Sequence, residues 1–220
     1  MNALEYYNSD QVPPRDYWKW WHEQGTVWPC YDIVSMLTQI PYAKSFLENK
    51  SMTDLGSGPG PSIPVLNTAF HFSQSVAIDG AINMLDDIKH NHPLRDSILL
   101  HCVDLESEGV PLDTESQALV VSCCSIGYIH NITHVLTEAA RIVCKEGFIA
   151  FDTWIHWDPS FTSVVRDSGV AIGYAHAFSL IDSITTQYGL VLVDSVEGFE
   201  SDISDDGWSL ERQTFLYQKK

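Results

Sequence analysis

Positive charge is what this chain has least of. Its 220 residues include 12 Lys and Arg against 29 Asp and Glu, a formal net charge of −17. No Lys or Arg occurs from Ser51 to Ile88, nor from Asp167 to Glu211. Nucleic acids are bound chiefly by cations that neutralise phosphates, so no nucleic-acid partner and no anionic membrane partner is expected. The acidity reads as a solubilising surface or as a field that draws in a cationic substrate. No apolar run approaches the length that spans a bilayer. The opening Met-Asn-Ala-Leu-Glu-Tyr-Tyr has neither a basic flank nor an apolar stretch, so no signal peptide is expected. Five cysteines leave one unpaired in a monomer, and Cys123-Cys124 are neighbours. A disulfide scaffold is not expected, and the cysteines read as reduced packing residues of a cytoplasmic protein.

What is present is punctuated by glycine. The run Met52-Thr53-Asp54-Leu55-Gly56-Ser57-Gly58-Pro59-Gly60 places three glycines at alternate positions after a short extended segment. Glycine lets a backbone turn tightly and lets a ligand approach without a Cβ in the way. Three further extended segments follow. Ser75 to Ile78 ends in Asp79, Ile98 to Val103 ends in Asp104, and Ala118 to Ser122 ends in Cys123-Cys124-Ser125. A carboxylate at the second strand end suits a ribose diol, and one at the third suits an exocyclic amine. The spacing G-x-G-x-G departs from the dinucleotide fingerprint, and a P-loop would need Gly-Lys-Ser/Thr. An adenosyl ligand without phosphate fits better, and S-adenosylmethionine is such a ligand.

These pieces resemble the class I S-adenosylmethionine-dependent methyltransferases. The resemblance rests on Asp54 to Gly60, Ala77 to Leu85, Asp104-Leu105, Val120 to Ile129 and Arg141 to Ile149. It implies an α/β fold with a doubly wound, mostly parallel seven-stranded sheet, a Rossmann-like methyltransferase fold with an antiparallel last strand. It also implies residues 1–48 as an N-terminal helical lid and 49–220 as the cofactor-binding core, one domain overall. Gly56, Ser57, Gly58 and Gly60 would pass under the methionine part, with Asp54 organising the turn. Asp79 would hold the ribose, with Gly80, Ala81 and Met84 beside the ribose or adenine. Asp104 and Leu105 would bracket the adenine edge, and Ser122 and Cys123 would present backbone to the methionine amine. Tyr31, Arg15 and Lys19 are candidates for the methionine carboxylate.

The acceptor side is read from aromatics and histidines. Trp18, Trp21, Trp28 and Trp154 are candidate substrate contacts, since an aromatic wall also favours a sulfonium through cation–π attraction. His130, Tyr128, His156 and His176 are candidate bases on the rim of the crevice. Ser122, where metal-dependent relatives carry an acid, implies no metal. The expected activity is methyl transfer from S-adenosylmethionine to a small-molecule acceptor, an amine nitrogen ahead of a hydroxyl or carboxylate oxygen. Alternatives are a protein or peptide methyltransferase, or a protein on this fold that binds the cofactor without methylating. Elsewhere, Trp28-Pro29 is expected to break a helix, and Pro41 to divide Asp32–Leu47. Ile155 to Tyr174 reads as a long connection, Ser179 as a helix N-cap, and Glu197 to Asp206 as an acidic loop between the last two strands.

Overall fold

The computed structural model describes residue 8 and residues 28–156, 163–167, 172–203 and 209–220. Trp28–Thr38 (α1) and Ala43–Leu47 (α2) flank the turn at Pro41. Pro29 sits in the opening turn of α1, where the missing N–H of proline costs nothing, while the Asp16–His22 segment that Trp28-Pro29 was expected to end lies outside the described residues. Strand and helix then alternate: Ser51–Leu55 (β1), Ser62–Phe70 (α3), Gln74–Asp79 (β2), Ile82–Asn91 (α4) and Ile98–Cys102 (β3). Gln117–Ser122 (β4), Ile132–Ile142 (α5) and Val143–His156 (β5) follow. The chain continues through Ser163–Asp167 (β6), Ile172–Ala177 (β7), Phe178–Gln187 (α6), Leu190–Ile203 (β8) and Ser209–Lys219 (β9).

Strands β3-β2-β1-β4-β5 are parallel neighbours in that order, β9 joins β5 antiparallel, and β8 joins β9. The chain winds outward from β1 to β3 and then returns to β4. The order therefore reverses between β1 and β4, where a ligand crevice opens at the strand tips. Alternate residues of the central strands feed two cores. Ile149, Phe151, Phe215 and Tyr217 face α5 and α6. Phe148, Ala150 and Leu216 face α1, α3 and α4. Among the described residues no helix is long and apolar enough to cross a membrane.

Among the described residues nine strands form where seven were expected. The stretch read as a long connection contains the β6–β7 hairpin, and β5 runs on to His156. Trp154 and Ile155 pair with β9 on one edge of β5 and with Ala175 and His176 of β7 on the other. That second edge belongs lower down to β4, which stops at Ser122. The hairpin thus stands on the protruding tip of β5, directly beyond the end of β4. The acidic segment after Val196 is also largely strand, since β8 reaches Ile203. Helix α6 starts one residue earlier than its sequence suggests. Its N-cap position is Ala177, with no side-chain cap, so Ser179 is not the cap.

Phe215 is completely buried, with Phe151, Phe178 and Tyr217 rings 5.5–6.2 Å from its own. Truncating such a ring leaves a cavity that close packing cannot fill. Phe215→Ala is expected to lower stability by about 3–5 kcal/mol, read as a shift in the urea midpoint at unchanged slope.

Candidate functional site

The glycine turn between β1 and α3 has every N–H committed. Gly56 and Ser57 donate to the Ile78 carbonyl at 2.7 and 3.0 Å, and Gly60 donates to Ser57 at 2.9 Å. Gly58 N–H donates to Asp79 Oδ2 at 2.7 Å, and Pro59 has none to give. Gly56 adopts φ +69°, and a Cβ there would lie 1.7 Å from Ser125 Oγ. No other residue fits that position. Fully buried His92 holds the far end, with Nε2 3.1 Å from the Gly60 carbonyl and Nδ1 accepting from Leu94 N–H at 3.1 Å. Burial lowers the pKa of His92, and the two contacts together set the Nε2–H tautomer.

Two buried carboxylates, Asp54 and Asp152, and the half-buried Asp79 converge on the strand tips. Asp79, at the end of β2, accepts Gly58 N–H and Ala81 N–H, one on each oxygen, both at 2.7 Å. Burial raises its pKa, and those two N–H groups pull it back. Each oxygen keeps a lone pair for a hydroxyl donor. Asp54, in β1, is 1 % exposed; its Oδ2 accepts from Ser62 Oγ, while its Oδ1 has no partner. Desolvation, against the Ser62 bond and with help from the Asp79 and Asp152 charges, pushes its pKa up to about 7. Asp152, in β5, accepts Cys124 N–H at 2.6 Å on Oδ1 and is ion-paired with Arg212 of β9 through Oδ2 at 2.6 Å. Asp32 on α1 adds a fourth carboxyl, raised by burial and then by Asp152.

The other residues proposed from sequence for the cofactor divide by what occupies them. Gly80 carbonyl accepts from Asn8 Nδ2 at 3.5 Å, and Ala81 and Met84 are buried beside it. Asp104 caps its own turn, with Oδ1 accepting from Glu106 N–H at 3.0 Å and Oδ2 from Ser107 Oγ at 2.7 Å. Leu105 is buried, its Cδ1 close to the side of Gly56 that Ser125 Oγ fills. Ser122 Oγ ties β4 to β1 by donating to the Leu55 carbonyl at 2.7 Å. Cys123 Sγ lies 3.3 Å from Cys30 Sγ on α1, and that contact, with burial second, raises its pKa. Tyr31 is 56 % exposed on α1. Arg15, Lys19, Trp18 and Trp21 lie outside the described residues, as does the side chain of Trp28.

Of the candidate bases, only His130 is exposed on the rim; its ring lies 5.1 Å from that of Tyr174, and its backbone N–H donates to Glu106 Oε1 at 2.5 Å. Two histidines are corrected by burial. His176 is 0 % exposed, and desolvation depresses its pKa to about 4, so it wedges under the Ile126–Ile129 turn as a neutral ring. His156 is buried at the tip of β5 rather than on the rim. Trp154 is corrected likewise. Tyr128 meets it edge-on at 5.7 Å, the Arg212 guanidinium covers its ring at 5.4 Å, and a Cβ on Gly127 would lie 2.5 Å from it. It is a packed support, not an open wall.

Sequence reasoning missed Arg212, Ser125, Gly127, Glu106 and His92. One signal was available, since Arg212 is the first cation after the long cation-free stretch ending at Glu211. The other four depend on contacts between distant segments, which no local pattern announces.

Residues 53–151 match a family model described as a methyltransferase domain. A stretch of 103 residues is 30% identical to a malonyl-[acyl-carrier protein] O-methyltransferase of Methylococcus capsulatus, covering 47% of this chain and 37% of that enzyme. The match thus spans little more than a third of that relative's length. Among solved structures, a putative sarcosine dimethylglycine methyltransferase from Galdieria sulphuraria aligns with TM-score 0.64 at 15% identity, over 86% of each chain. A putative S-adenosylmethionine-dependent methyltransferase from Listeria monocytogenes aligns at 0.63 and 13% identity, over 87% of this chain and 98% of that one. A geranyl diphosphate C-methyltransferase from Streptomyces coelicolor, solved with S-adenosyl-L-homocysteine, aligns at 0.60 and 14%, over 80% and 76%. At such identities the likeness is one of fold.

Asp54 gives the site a pH signature. Its folded pKa of about 7 lies well above the ordinary aspartate value of 3.8. The folded state therefore keeps a proton that the unfolded state releases. Its contribution to stability is greatest below pH ~4 and declines as pH rises toward ~7. Asp54→Asn is expected to remove this decline, so that the urea midpoints of variant and parent diverge progressively between pH ~4 and ~7. Parallel curves would contradict the assignment.

Proposed function

From the match of residues 53–151 to a methyltransferase domain and a fold like that of S-adenosylmethionine-dependent methyltransferases, we propose that this protein methylates a small-molecule acceptor. One observation carries the reading. The glycine turn has spent every N–H from Gly56 to Gly60 on the protein itself, so none is left to cradle a phosphate. The charge around it is carboxylate. A phosphorylated nucleotide would meet repulsion here without the usual compensating N–H groups. A cationic adenosyl ligand meets the opposite.

The residues fit that ligand. Asp79 has lone pairs for two ribose hydroxyls, and the buried orphan Asp54 Oδ1 suits an ammonium donor. Gly58, with nothing within 4 Å of where its Cβ would stand, leaves room for close approach, while Ala81, Met84 and Leu105 give the adenine an apolar slot. S-adenosylmethionine, when bound, supplies an electrophilic methyl on a sulfonium. The chain's task is then to hold the acceptor in line and exclude water, from which much of the acceleration of such a transfer can come.

For the acceptor, an amine nitrogen is favoured. Lys50, Lys145 and Lys219 lie at the amino-terminal ends of their sheet neighbours, away from the crevice, and Arg212 at the tips is tied to Asp152. None of these four described side chains is a ready cation for an anionic acceptor. Carboxylates favour an amine instead, and His130 beside Glu106 and Tyr174 is placed to take up its proton. O-methylation of a hydroxyl is the second reading, favoured by the O-methyltransferase activity of the Methylococcus relative; His130 would serve it as general base.

The decisive experiment is calorimetry with S-adenosylmethionine and S-adenosylhomocysteine, followed by labelled methyl transfer to a panel of amines, phenols and carboxylates. Both ligands are expected to bind, and amines to be labelled first. Binding of a phosphorylated nucleotide in their place would overturn the reading. Asp79→Ala is expected to weaken cofactor binding at least about tenfold, as a charged partner is lost from a buried diol. His130→Ala should slow turnover without changing cofactor affinity. Because Asp54 is near half-protonated at neutral pH, an ammonium beside it should drive its proton out. Calorimetry at pH ~7 in buffers of different ionisation enthalpy should show proton release, absent in Asp54→Asn.

A further inference from the structure

Four features of the crevice meet at one short turn. After β4 the chain reaches Cys124, a non-glycine residue at φ +57°, a conformation that L side chains rarely adopt. Its N–H donates to Asp152 Oδ1 at 2.6 Å. Arg212 donates to Asp152 Oδ2 through Nε at 2.8 Å and Nη2 at 2.6 Å, and Nη2 also reaches Cys124 Sγ at 2.9 Å. Arg212 and Asp152 thus grip both the backbone and the side chain of the strained residue. Directly after it, Ser125 Oγ fills the space that Gly56 leaves open. Gly127 then lies flat against Trp154, whose ring also carries the Arg212 guanidinium at 5.4 Å.

We propose that Arg212, acting through Asp152, is a positioning residue for methyl transfer: it holds Cys124 in its left-handed conformation, which seats Ser125 against Gly56 and Gly127 against Trp154. The inference rests on the methyltransferase reading above and adds to it a device that shapes the crevice where β1, β4 and β5 meet. The ion pair is nearly dry, with side-chain exposures of 11% and 1%. A pair so placed is poor evidence for stability alone, whereas one that grips a strained turn has a positional task. If the grip is released, a cysteine at this position relaxes to negative φ, and Ser125 moves off the glycine turn. A glycine at 124 would keep the turn without the grip, because φ near +57° carries no Cβ penalty for it.

That asymmetry supplies the test. S-adenosylhomocysteine binding and thermal melting are measured for the parent protein, Arg212→Gln, Cys124→Gly and the double variant. Arg212→Gln is expected to weaken binding about ten- to a hundredfold, as a displaced site does. Adding Cys124→Gly should restore binding to within about threefold of Cys124→Gly alone. The melting temperature should remain depressed in the double variant, because the Asp152 charge is still buried without its partner. Arg212→Lys, which keeps the charge but not the two-pronged reach, replaces Arg212→Gln if that variant does not fold. Parent-like binding by the Arg212 variant, or a double variant no better than it, overturns the proposal. A parent protein that binds no S-adenosylhomocysteine instead sinks the methyl-donor reading on which it stands.

Discussion

Two backbone N–H groups, those of Gly58 and Ala81, point at the carboxylate of Asp79, and the crevice takes its form from that convergence. The bond to Gly58 ties the turn after β1 to the end of β2; the bond to Ala81 sets the entry into α4. Charge-assisted bonds of this kind are the strong ones, and they are made by an acid whose burial disfavours its ionised form. The turn therefore closes on the protein itself. With its N–H groups consumed, it offers a ligand carboxylate lone pairs and space where a phosphate-binding turn offers donors.

Gathering carboxylates is electrostatically costly, and the structure disperses the cost in different ways. Asp79 is hydrogen-bonded by backbone, Asp152 is ion-paired with Arg212, and Asp54 is left partly uncompensated with its pKa near neutrality. A buried carboxylate with an idle oxygen waits for a cation, and the folded protein holds a proton in its place until one arrives. This is the local counterpart of a chain with a formal charge of −17. The global excess sets the sign of the long-range field; the three tips concentrate it where the chemistry is done.

Much of this was legible along the chain. The glycine turn, the acids closing β2 and β3, and the alternation of strands and helices are local patterns. Local sterics and hydrophobic periodicity act on them directly. The β6–β7 hairpin was not legible, because its pairing partner is the tip of β5, and a short strand is defined by the edge it joins. The histidines were misjudged for a related reason. His176 and His156 read as rim residues from their distance beyond a strand end, yet the hairpin that carries one of them seals both from solvent.

The sequence alone determined the order of elements, the glycine turn after β1, and the sign of the charge there. Each depends on residue type and spacing over a few positions. Only the tertiary structure decided which N–H groups remain free, which carboxylate lacks a partner, and which cation is already engaged. Arg212 and Asp152 stand 60 residues apart, and Ser125 faces Gly56 across the space between two turns. A hydrogen bond or ion pair takes its strength from distance, angle and desolvation, quantities that exist only once the distant segments have packed together.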